Sequence, residues 1–145
     1  MAEEIHVAID AGGNEERGDI NVPGFKKYWF SEWHFVRPHS EYVTRHNLGM
    51  TPKIVQIWFC AAEVDEAGNP IRRIEGAHAV TAEGRIDNPP CPATPGSVAA
   101  LYNCIVYRAT DTELHIYTEW TRVGRGPNHK DDWRTVGYYR VLLWA

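Results

Sequence analysis

Two tryptophans, Trp120 and Trp133, bracket a loop that carries Arg122, Arg125, Asn128, His129, Asp131 and Asp132. An indole face packs under the C–H groups of a sugar ring, while amide, carboxylate and guanidinium side chains take its hydroxyls as hydrogen-bond partners. Trp120, Arg122, Asn128, His129, Asp131, Asp132 and Trp133 are therefore candidate ligand-binding residues for a carbohydrate. An ordinary solvated loop has a similar composition, and that reading stands beside the first. His46 and Asn47 form the sharpest local polar feature elsewhere. A turn with Asn47 at left-handed angles explains the pair more simply than ligand contact does, and both are kept as candidate ligand residues.

Other residues of chemical type do not assemble into a reactive pattern. His34, His39 and Glu41 are metal-ligand types, yet their spacing crosses Pro38 and lacks the tight His-x-His pair of the cupin enzymes. Surface or capping roles account for them better. Cys60 lies in an apolar run, the reverse of the exposed, activated setting a nucleophilic thiolate needs. The chain has no glycine-rich phosphate loop, nucleophile elbow or paired-carboxylate motif. The reading is a non-enzyme with no catalytic residues, no metal and no cofactor.

Length and composition bound the rest. A chain of 145 residues is expected to form one domain with a peripheral arm, with boundaries at residues 1–24 (a strand and a flexible arm) and 25–145. Its net charge of −4, with mixed signs, gives no basic footprint for nucleic acid. Three cysteines are too few, and odd in number, for a disulfide framework; whether Cys91 and Cys104 pair stays open. The acidic start Met1-Ala2-Glu3-Glu4 has no apolar run behind it, so no signal peptide is expected. No segment reaches membrane-spanning length. A soluble protein made in a cytoplasm, with no membrane insertion, is the expectation.

The elements that must position these residues read as strands. Residues 43–60 organise the chain: an approach over 41–45, a turn through His46, Asn47 and Gly49, then the Pro52-led apolar run 53–60. Gln56 is the only polar residue after Lys53, so a central strand covered on both faces is predicted. Residues 4–10 alternate as a half-buried strand, and residues 11–24 read as a polar, glycine-rich loop or arm. The Arg17-Gly18-Asp19 tripeptide inside that loop is too short to carry weight. Residues 26–36 suggest a strand broken near Ser31, residues 65–70 a hairpin connection, and residues 76–81 a short strand. Four prolines make residues 88–97 a surface loop. Residues 101–109, 112–122 and 133–144 complete the strands, the last with a bulge expected at Gly137. The fold class is all-β, an antiparallel sandwich.

The order of these features resembles the H-type lectin domain of snail agglutinins and discoidin C-terminal regions. The resemblance rests on residues 51–57 (TPKIVQI), on Thr118-Glu119-Trp120 and on the terminal Trp144-Ala145. Residues 46–52 (HNLGMTP) are also similar to segments of virion-associated proteins of tailed bacteriophages, such as tail fibres, spikes and decoration proteins. It spans about the C-terminal two-thirds of the chain; residues 26–36 and the proline-rich loop have no counterpart in it. The resemblance implies an H-type-lectin-like or jelly-roll-like antiparallel β-sandwich, often a homotrimer, in a virion. Its implied partners are other virion proteins and glycans on a host surface. The alternative it leaves open is an architectural capsid or tail decoration protein that binds no sugar.

Overall fold

The computed structural model describes residues 14–80, 104–118, 122–126 and 132–145. Among them the chain is all-β, and every strand pairing is antiparallel. The strands are β1 (Glu16–Val22), β2 (Phe25–Phe30), β3 (His34–Val36), β4 (Glu41–Arg45), β5 (Ile54–Val64) and β6 (Pro70–Arg73). They continue as β7 (His78–Ala79), β8 (Cys104–Ala109), β9 (Glu113–Thr118), β10 (Gly124–Arg125), β11 (Trp133–Arg134) and β12 (Gly137–Trp144).

β5 and β12 form the spine. They pair over eight positions, from Gly137 opposite Ala61 to Trp144 opposite Ile54. Both strands are β-branched and aromatic, which suits a pleated surface with neighbours on each side. Beyond β5 lie β6 and β7, and beyond β12 lie β2 and β3, with β1 outermost. β2 and β3 are two halves of one broken strand along the same edge of β12. At the break, Ser31 takes over the ladder: its N–H donates to Val141 O (2.8 Å) and its hydroxyl oxygen accepts from Val141 N–H (2.8 Å). The break expected near Ser31 therefore has a definite cause. β4, β9 and β8 make a separate three-stranded sheet, and β10–β11 a two-stranded ribbon.

One core joins the two main sheets. Val55, Ile57, Phe59 and Ala61 of β5 meet Tyr139, Val141 and Leu143 of β12 as cross-strand neighbours. Leu114 and Ile116 of β9, with Cys104 and Val106 of β8, belong to the same cluster. On the other face of the spine a second cluster gathers Ile20, Phe30, Leu142 and Trp144. Arg140 is buried there, its Nε donating to Ser31 O (2.7 Å) and its Nη2 to Asn14 O (2.7 Å) and Glu16 (3.3 Å). Cys60 is fully buried, and that burial raises its thiol pKa.

Several expectations need correction. Residues 16–22, read as part of a polar loop or arm, form β1 and pair with β2. The polar letters mislead because β1 is an edge strand, where one face needs only Gly18 and Ile20 to pack. Residues 133–144 are not one strand: Thr135 and Val136 separate β11 from β12. Gly137 carries no bulge; it opens β12 in regular register with both neighbours. β5 is central, but its outer face is only partly covered, with Ile54 exposed and Gln56 and Trp58 half-buried. The strand expected over residues 4–10, the loop over 88–97, and Cys91 lie outside the described residues.

Candidate functional site: the β10–β11 ribbon

The ribbon is held to the core by small residues and buried backbone groups. Val123 is fully buried, its N–H donating to Arg134 O (2.9 Å) and its carbonyl accepting from the Tyr139 hydroxyl (2.7 Å). Gly124 and Gly137 both face the Phe59 ring, and a Cβ on either would overlap it. Phe59 also meets Tyr139 edge-on at 6.0 Å. The ribbon can approach this closely only because both positions are glycine.

On the ribbon, Arg125 stands directly opposite Trp133, and Gly124 opposite Arg134. The Arg122 guanidinium carbon lies 3.8 Å from the Trp133 ring centroid and that of Arg125 lies 4.2 Å from it. Such contacts draw on the negative face of the indole and fix two otherwise mobile side chains. Next to them, Arg134 grips Asp132 through two parallel bonds of 3.0 and 3.3 Å. Gly126 N–H donates to Asp132 O (2.6 Å). The described part of the ribbon thus gathers three guanidinium groups and one carboxylate, on a chain whose net charge is −4.

Of the residues the sequence singles out, Arg122, Asp132 and Trp133 come together here. Trp120, Asn128, His129 and Asp131 lie outside the described residues. Trp133 is partly exposed, but guanidinium groups stand over its ring, where stacking against a sugar had been expected. The chemistry the ribbon offers is therefore that of positioned N–H donors, suited to carboxylates and paired hydroxyls.

His46 is placed differently. It is fully buried, its Nδ1 accepting from Leu48 N–H (3.1 Å) and its Nε2 lying 3.0 Å from Thr110 O. With Nδ1 an acceptor, Nε2 carries the proton and donates to Thr110. Both ring nitrogens serve the turn, the simpler of the two roles the sequence offers for His46. Burial lowers its pKa. Asn47 has φ of +52°, the left-handed geometry expected of it, and is exposed on the same turn.

Two polar features were not legible in the sequence. A cleft of about 440 Å³ lies beside β4, lined by Glu15, Trp29, Glu32, His34, Thr44 and Arg45. Trp29 donates its indole N–H to Glu15 (2.8 Å), and burial lowers the His34 pKa. On the three-stranded sheet, Tyr107 donates to Glu41 and its oxygen lies 3.0 Å from His115 Nδ1, whose Nε2 is 3.1 Å from Glu113. Burial and the bond to Glu41 raise the Tyr107 pKa, so its hydroxyl stays protonated and acts as a bridge between strands. Only the i, i+2 spacing of Glu113 and His115 hints at this in sequence; Tyr107 joins through a register shift in the β8–β9 pairing. Among the described residues, no group of three or more His, Cys, Asp or Glu is placed to hold a metal ion. Nor is any helix there long and apolar enough to cross a membrane.

Comparison with protein families, curated proteins and solved structures finds no match to this chain. The functional reading therefore rests on the chain's own residues.

Proposed function

We propose that this chain is a non-catalytic adsorption module of the virion type, a β-sandwich of the H-type lectin kind that binds glycans on a host surface. Two antiparallel sheets sharing one core are what such a sandwich requires. The β10–β11 ribbon is the glycan site, and it selects acidic sugars. The observation that carries this reading is the pair of guanidinium groups, Arg122 and Arg125, held over Trp133. A sugar carboxylate takes two N–H donors at once from a guanidinium fork, and a neutral sugar cannot match that charge-assisted pairing. Single glycan sites bind weakly, so the module works as an oligomer, three copies being what the resemblance implies.

A glycan array probed with the purified protein tests the reading. Retention on sialylated or uronate-bearing glycans, lost in Arg125→Ala and Trp133→Ala, is the expected result. An array with no binding at all, from protein that still attaches to virion particles, would replace it with the architectural, sugar-free role.

A further inference from the structure

β4 is an edge strand whose free side is self-complementary. In its pairing with β9, Thr118 N–H donates to Ser40 O (2.9 Å) and His46 N–H donates to Thr112 O (2.9 Å), both on the register that sets Tyr42 opposite Ile116 and Thr44 opposite Leu114. Antiparallel ladders exchange bonds at every second residue, so positions 40, 42, 44 and 46 face β9. The N–H and C=O groups of Glu41, Val43 and Arg45 therefore point the other way. β4 ends the order β4-β9-β8, so no described strand meets that side. The cleft of about 440 Å³ runs along it, with Val43, Thr44 and Arg45 in its wall. Val43 is 46% exposed, a β-branched residue left in water at the middle of the edge.

We propose that β4 pairs with β4 of a second copy, antiparallel, about a two-fold axis through Val43. Three features converge on this one occupant and register. The outward backbone groups at 41, 43 and 45 then meet their own counterparts in a complete ladder, 41 to 45, 43 to 43 and 45 to 41. Each Glu41, which accepts from Tyr107, faces an Arg45 that pairs with Glu113 of its own chain (2.7 Å), so the contact adds a second opposite charge to each group, twice by symmetry. The two Val43 side chains cover each other. A slip of one residue presents the wrong backbone groups, a slip of two keeps them but breaks both Glu41–Arg45 pairs, and registers centred on 41 or 45 set like charges opposite. Edge strands commonly carry charge to prevent such pairing; here the order of charges favours the register centred on Val43, which alone makes both opposite-charge pairs.

The contact is isologous and closes at two copies. Combined with the three-fold assembly proposed above it gives six, so three alone is not an allowed product. It does not depend on sugar binding. Sedimentation velocity from micromolar to sub-millimolar concentration reads it directly. The expected species are even-numbered, at twice or six times the 16.5 kDa chain mass.

Val43→Pro removes the outward N–H while leaving the bonds to β9 in place, and Arg45→Glu sets two carboxylates opposite each other. Each should weaken self-association by roughly tenfold or more, because symmetry loses every contact twice. Val43→Thr keeps the edge and should self-associate as the parent does; a cooperative melt of the dissociated chain confirms that all three variants fold, that of Arg45→Glu starting lower because it loses its own pair with Glu113. A monomer at every concentration, a trimer with no even-numbered species, or assembly unaffected by Val43→Pro and Arg45→Glu would overturn the proposal.

Discussion

Phe59 shows how much a single ring constrains. It is fully buried between Gly124 and Gly137, and neither glycine needs unusual backbone angles; what each supplies is the missing Cβ. Gly124→Ala should destabilise the domain by about 1–3 kcal/mol through overpacking. The loss should shrink in a Phe59→Leu background, where the smaller side chain makes room; a thermal-melt double-mutant cycle reads the coupling. Equal losses in both backgrounds would show that the ring is not the cause.

His46 gives a second residue-scale prediction, with its sign set by burial. Its folded pKa is depressed, so as pH falls through about 6.5 the unfolded chain takes up a proton that the folded chain refuses. Stability is therefore lost as pH falls below that value, until the folded ring itself titrates. His34, also lowered by burial, acts in the same direction. Tm should drop between about pH 7 and pH 5, and His46→Gln should start lower but show a shallower slope. Identical slopes would contradict the assignment.

At the scale of elements, the sequence is most legible where both neighbours of a strand are apolar. β5 is central, and its inner face, Val55, Ile57 and Phe59, is at most 2% exposed. Ile57→Asp should leave the chain unfolded, because an unpaired carboxylate costs several kcal/mol in the apolar cluster the described residues form around it; native-like melting of that variant would refute the placement. β4, the β5–β6 hairpin and the break at Ser31 follow from turn chemistry and alternation that need no tertiary knowledge. β1 was missed because an edge strand buries little and so leaves a weak apolar signal. The division of residues 133–144 into β11 and β12 was missed because continuous apolar character does not record where a strand changes partners. The site was legible as a composition, Trp133 with arginines and carboxylates nearby. Its geometry was not, since stacking of Arg125 on Trp133 depends on their cross-strand register.

At the scale of the whole molecule, the two surfaces proposed above fall on different sheets. The spine sheet, through Phe59 and the Tyr139 hydroxyl's bond to Val123, fixes the ribbon that carries Arg122, Arg125 and Trp133. The smaller sheet presents the free edge of β4. An assembly through that edge would repeat the ribbon in each copy and turn weak single contacts into retention on a multivalent surface. Binding at the proposed guanidinium site should weaken with added salt, since an exposed charge pair is screened over about 8 Å at physiological ionic strength.

The most direct test is a two-dimensional NMR titration of the ¹⁵N-labelled protein with a sialylated oligosaccharide at low salt. The account predicts saturable shifts at the Trp133 indole N–H, the Arg125 side chain and the Gly124 and Gly126 amides, reversed by added salt and absent with the neutral, desialylated sugar. Shifts confined to the cleft beside β4, equal responses to charged and neutral sugars, or no response from the ribbon would contradict it.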